Sequence, residues 1–126
     1  MFIVISPQNP EPMYKQVTDQ IKDAIASGTL KPDTKLPSIR EMAQKLKISM
    51  ITIKRAYTDL ESAGYIITRP GLGSFVAEID REKIREEKLA EISDSIIKIV
   101  KTAKKFDIKK NEIFTLIESI EEKTNE

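Results

Sequence analysis

Five stretches of this 126-residue chain carry side chains whose type and spacing could do chemistry. Ser38-x-x-Glu41 has the spacing of a helix capping box, in which the hydroxyl accepts an N–H three residues on and the carboxylate returns a bond. Its role is chiefly structural. Lys54-Arg55 sets two cations side by side, and on a helix such a pair either binds an anion or is solvated. Gly71-x-Gly73 has the glycine spacing of a phosphate loop, but neither a strand-to-helix context nor a Lys-Ser/Thr pair follows it, so a tight turn is the better reading. Glu86-Glu87 and Glu121-Glu122 carry the oxygen ligands of a hard cation. On helix surfaces such pairs are ordinarily solvated, and no metal site or cofactor is expected. The chain has no cysteine and no histidine. That excludes disulfides and thiolate nucleophiles and removes the commonest zinc ligand and general base. With no paired-carboxylate motif either, an enzyme is not expected.

Hydrophobic residues make up 40% of the chain and charged residues 33%, the balance of a soluble, folded, helix-rich protein. No run approaches the roughly 20 apolar residues that span a bilayer, and the short apolar run of residues 2–5 has no basic flank or cleavage site. A cytoplasmic protein without membrane contact is expected. The net charge is +1, but its distribution is uneven: residues 1–76 hold 10 Lys and Arg against 7 Asp and Glu, while residues 77–126 hold 11 against 13. Two regions with different tasks are expected, 1–78 and 79–126.

Five helices and a hairpin must position these groups. Pro12 suits a first helical turn, and Tyr14, Val17, Ile21 and Ile25 follow at helical spacing until Gly28. Lys35-Leu36-Pro37 is too short to be more than a connecting strand. Ser38 opens a second helix with Ile39, Met42, Ala43 and Leu46 inward, and after a break at Lys47-Ile48, Ser49 caps a third that runs to about Ser62. Two short helices joined by a tight turn read as helix-turn-helix. On the third, Ile53, Ala56, Tyr57 and Leu60 share one face at 100° per residue, turning Ile51, Arg55 and Thr58 outward with Met50 and Lys54 beside them. The runs 65–68 and 74–76 flank a turn at 69–73 and read as a hairpin, the wing.

From about Asp80 acidic residues crowd the first turns of a long helix and lysines its end, as the helix dipole favours. Leu89, Ile92, Ile96, Ile99, Ala103 and Phe106 alternate spacings of three and four, and Val100 widens the stripe. Residues 107–111 interrupt it before a last helix marked by Ile113, Leu116, Ile117 and Ile120. The apolar stripe reads as a dimer core in preference to a ligand pocket. The fold expected is therefore mainly α: a winged helix-turn-helix of three helices plus a β-hairpin, followed by a two-helix C-terminal hairpin.

Taken in order, Pro12-Met13-Tyr14, Gly28-x-Leu30, Leu36-Pro37-Ser38-x-Arg40, Thr52-x-Lys54-Arg55-Ala56-Tyr57, Gly64-Tyr65-Ile66 and Gly71-x-Gly73-x-Phe75-Val76 resemble the N-terminal signature of the GntR family of bacterial regulators. The likeness covers about the first 76 residues. Most branches of that family carry a far larger C-terminal domain, and a short two-helix tail is similar to that of the YtrA subfamily. The resemblance implies a homodimeric regulator, expected to repress from a pseudo-palindromic duplex operator, with the tail as its dimerisation region and a transporter operon among its targets. It names no small-molecule effector.

By position, the resemblance carries DNA contact to Arg40, Ser49, Met50, Thr52, Lys54 and Gly71, with Ser38 near a phosphate. Arg40 or Lys54 could bond guanine O6 and N7, and the hydroxyls could take phosphate oxygens. Met50 stands where the family often has arginine. Met50 and Ile51 could instead meet thymine methyl groups, although single exposed apolar residues also occur without function. Lys54 and Arg55, within the full signature, are read as DNA contacts, and the wing tip at Gly71 and Gly73 as approaching the sugar-phosphate backbone. The competing function is a winged-helix protein-interaction module with a helical oligomerisation tail, which salt dependence distinguishes.

Overall fold

The computed structural model describes residues 3–125; Phe2, part of the apolar run at 2–5, lies outside them. Its elements in order are α1 (Met13–Ala26), α2 (Ile39–Leu46), α3 (Met50–Ser62), β1 (Ile66–Arg69), β2 (Gly73–Val76), α4 (Arg81–Lys105) and α5 (Lys110–Thr124). They fall into two compact units, the first ending at Arg81 and the second beginning at Glu82.

In the first unit α1 and α2 both pack on α3. Val17 and Ile21 from α1 and Ile53, Ala56 and Leu60 from α3 are fully buried, with Met42 joining them from α2. Each large aliphatic side chain removed from water in this way contributes about 1.5–3 kcal/mol before entropy is counted. The helix-turn-helix owes its tightness to Lys47, which takes the left-handed conformation at φ 57° as it ends α2. A residue with a Cβ there costs about 1–2 kcal/mol. The Ser38 hydroxyl accepts the Glu41 N–H at 3.1 Å, so the serine half of the capping box forms. Among the described residues no return bond from Glu41 accompanies it.

The wing is an antiparallel pair in the register Ile66↔Val76, Ile67↔Phe75, Thr68↔Ser74 and Arg69↔Gly73. Ile66 and Val76 are buried on its inner face. The segment before α2 adds more than a connection. Asp33 N–H donates to the Val76 carbonyl at 2.8 Å, Val76 N–H to that of Thr34 at 2.8 Å, and Leu36 N–H to that of Ser74 at 2.9 Å, which sets Lys35 opposite Phe75. Residues 3–11 are laced to α1 by two amides one helical turn apart. Gln16 accepts from the Ser6 N–H at 2.9 Å and Gln20 from that of Val4 at 3.0 Å, and each amide also donates to the same residue's carbonyl.

In the second unit the helices are separated by fewer residues than the sequence pattern implies. Asp107 turns left-handed at φ 53°, and α5 resumes at Lys110 because Glu112 accepts the Lys109 N–H at 2.8 Å. Among the described residues of this unit only Ala103 is buried. Ile99, Val100, Ile113 and Ile117 line an open groove of about 440 Å³ between α4 and α5, so the hairpin has no closed core of its own.

Candidate nucleic-acid interface

The arrangement begins at α3. At 100° per residue its buried stripe leaves one wide face to solvent, and Met50, Ile51, Lys54, Arg55 and Thr58 are all exposed on it. Ile51 is 81% exposed, which nothing in the packing of this unit requires. Ser49 caps the helix by accepting the Thr52 N–H at 3.1 Å, and its hydroxyl also shares a hydrogen bond with that of Thr52 at 2.8 Å. One of the two O–H groups is spent in that bond. The other is left to donate, for instance to a phosphate oxygen.

On one flank of α3, Tyr57 reaches across to donate its O–H to the Pro37 carbonyl at 2.7 Å. Burial pushes this phenol's pKa up, with the charge of Glu41 adding to the effect, so the group stays a donor throughout the neutral range. This tie holds the start of α2 beside α3 and opens a recess of about 420 Å³ between Ser38 and Arg40 on one side and Thr68 to Gly71 of the wing on the other. The recess gathers Ser38, Arg40, Gly71 and Gly73 at one place. Gly71 (φ 75°) stands in open space, whereas Gly73 (φ 118°) is crossed by the Lys35 chain, whose Cε lies 3.1 Å from where a Cβ would be.

Cations differ in how far they are already neutralised. Arg69 stacks on Phe75 with its guanidinium carbon 4.3 Å from the ring centroid and pairs with Asp33 at 2.9 Å. Arg40, Lys54, Arg55 and Lys35 have no carboxylate partner within ion-pair distance among the described residues. On the other flank of α3, the Arg55 guanidinium lies over the Tyr14 ring of α1, 3.7 Å from its centroid. Sequence reasoning passed over Tyr14 and Lys35. Their partners lie 41 and 38 residues away, and each was read only for the element that carries it.

The recess, the open cationic helix face and the hairpin together make a surface suited to a polyanion with a groove. Nothing in it resembles an assembled catalytic group, and among the described residues no helix is long and apolar enough to cross a membrane.

Comparison with known proteins agrees with this geometry. Residues 13–76 match the family described as bacterial regulatory proteins, gntR family. The HTH-type transcriptional repressor YtrA of Bacillus subtilis is 33% identical over 98 residues, which is 78% of this chain and 75% of that protein. The crystal structure of a transcriptional regulator from Oenococcus oeni superposes with a TM-score of 0.69 at 30% identity, covering 94% of this chain and 98% of that one. The AraR DNA-binding domain, solved in complex with operator ORX1, has a TM-score of 0.54 at 34% identity and covers 61% of this chain and 99% of that one. Such relatives are transcription regulators and not enzymes. The chain belongs to the gntR family of bacterial regulators, as a DNA-binding transcription regulator of the YtrA-like kind with a winged helix-turn-helix.

Proposed function

We propose that the protein binds a pseudo-palindromic operator as a homodimer and represses transcription from it, with residues 1–78 reading DNA and residues 79–126 holding the dimer. The observation that carries this is the exposed face of α3, bordered by the recess at Arg40 on one flank and by Arg55 on the other. A helix in the major groove has a phosphate backbone on each side, and base edges in front of it.

In this reading Lys54 and Arg40 take guanine O6 and N7, and Met50 and Ile51 meet thymine methyl groups. Ser38 and whichever of the paired Ser49 and Thr52 hydroxyls keeps a free O–H donate to phosphates, Arg55 clamps one, and Gly71 and Gly73 let the wing backbone approach another. The likeness to AraR, solved on operator DNA, supports DNA as the ligand, and the likeness to the YtrA repressor supports the direction of regulation. The YtrA-like tail carries the expectation of a transporter operon among the targets. The cytoplasm is where such an operator is met.

The test is selection of duplexes from random DNA by the full chain, followed by a salt titration of the selected sequence. Two half-sites should emerge, and log K should fall with log salt by roughly 0.9 per phosphate contact. Salt-independent affinity, or no duplex selected at any salt, rejects the reading and leaves the α3 face as a protein-docking surface.

A further inference from the structure

The Arg55–Tyr14 stack asks why an arginine on the reading face is tied to the first helix. Lys54 and Arg55 are adjacent yet point apart by 100°. Lys54 lies on the flank of Tyr57 and the recess, and Arg55 on the flank of α1. The stack at 3.7 Å is closer than that of Arg69 on Phe75 at 4.3 Å, and the two differ in ion pairing as well. Arg69 is already paired with Asp33. Arg55 has no ion-pair partner among the described residues and is exposed, so its full charge is available.

We infer that Tyr14 is a positioning residue for DNA binding, whose ring holds the Arg55 guanidinium flat and aimed at a backbone phosphate on the side of α3 away from the wing. This rests on the reading of α3 as the recognition helix. A guanidinium stacked face-on keeps its N–H donors around its rim, where a phosphate can take two of them side by side. An unstacked arginine must give up its rotamer freedom on binding, whereas one held by the ring has lost much of it beforehand. Tyr14 itself is half-buried on α1, one turn before Thr18, whose hydroxyl donates to the Tyr14 carbonyl at 2.8 Å. The ring is thus carried on a rigid element. Its hydroxyl has no part in the stack, so phenylalanine should serve equally.

A double-mutant cycle in the full chain on the selected operator tests this. Arg55→Ala should weaken binding about tenfold or more, as expected for a charge-assisted hydrogen bond, and flatten the salt slope by roughly 0.9 per subunit. Tyr14→Leu should weaken it about two- to fivefold, Tyr14→Phe should bind as wild type, and Tyr14→Leu should cost nothing further in the Arg55→Ala background. If Arg55→Ala binds like wild type, the placement of this flank against DNA is wrong. If Arg55→Ala weakens binding but the leucine loss persists undiminished in its background, or Phe fails to rescue, the positioning role is overturned while the recognition helix stands. The stack can also be read without any substitution. The Arg55 Cδ protons should be shifted upfield by the ring in proton spectra of the free wild-type chain, and their absence from that region overturns the inference.

Discussion

Arg40 and Lys54 are exposed and have no ion-pair partner among the described residues, so removing either leaves no buried group unsatisfied. Arg40→Ala and Lys54→Ala should therefore leave the thermal midpoint unchanged while each weakens operator binding by about 1–3 kcal/mol, the range for a bidentate base contact. Wild-type affinity in both variants would put the wrong face of α3 in the groove. Tyr57 makes the opposite prediction. Its phenol is buried and donates to Pro37, so Tyr57→Phe should cost about 1 kcal/mol of stability. Because burial raises the folded pKa above the unfolded value near 10, the unfolded chain loses the proton first as pH rises. The Tyr57 contribution is then complete below about pH 9 and declines above about pH 10. Denaturant titrations of wild type and Tyr57→Phe should converge in that alkaline range, and a constant gap would refute the assignment. Legibility at this scale followed sequence distance. The caps at Ser38 and Ser49 act over three residues and could be read directly. The Tyr14–Arg55 stack joins residues 41 positions apart, and only the packing of α1 on α3 reveals it.

Among the elements, helices with one buried stripe were plain from their spacing, while the wing held more than its hairpin pattern showed. The segment 33–36 pairs with β2 through three backbone bonds, but one bridged residue is too short a run to display strand alternation. The glycine pair at the turn was likewise read as one feature, and the structure separates its members. Both have positive φ, yet only Gly73 faces a neighbour, the Lys35 chain at 3.1 Å from a would-be Cβ. Gly71→Ala should incur the backbone cost alone, about 1–2 kcal/mol. Gly73→Ala should incur its own backbone strain at φ 118° and displace Lys35 as well, and should melt several degrees below Gly71→Ala. Equal midpoints for the two variants would mean that the lysine yields freely and that Gly73 serves only the turn.

At the scale of the whole molecule the tail presents an imbalance that a single chain does not resolve. Leu89, Ile92, Ile96, Ile99 and Val100 on α4, Phe106 just past its end, and Leu116, Ile117 and Ile120 on α5 are all exposed, Phe106 by 71%. A contiguous apolar surface of this kind marks an interaction site. The stripe spans too few heptads for an extended coiled coil, and α5 covers only part of it. Two hairpins joined in a four-helix arrangement would bury the rest, and an interface of standard size at roughly 25 cal/mol per Å² can sustain a dimer. Such a dimer puts two reading heads in one particle, so affinity for a two-half-site operator depends on the tail through effective concentration. The core of the first unit lies entirely between residues 17 and 77. A chain ending at Arg81, which retains the Arg81 bond to the Ala26 carbonyl, should therefore stay folded and bind a single half-site only weakly. In the full chain Ile96→Asp places a charge in the middle of the α4 stripe and should likewise yield a monomer with most operator affinity lost. Sedimentation at micromolar concentration checks both variants, with thermal melting of the first unit as the control for folding. A stable dimer in either variant would assign dimerisation to another surface and remove the tail from the account of operator affinity.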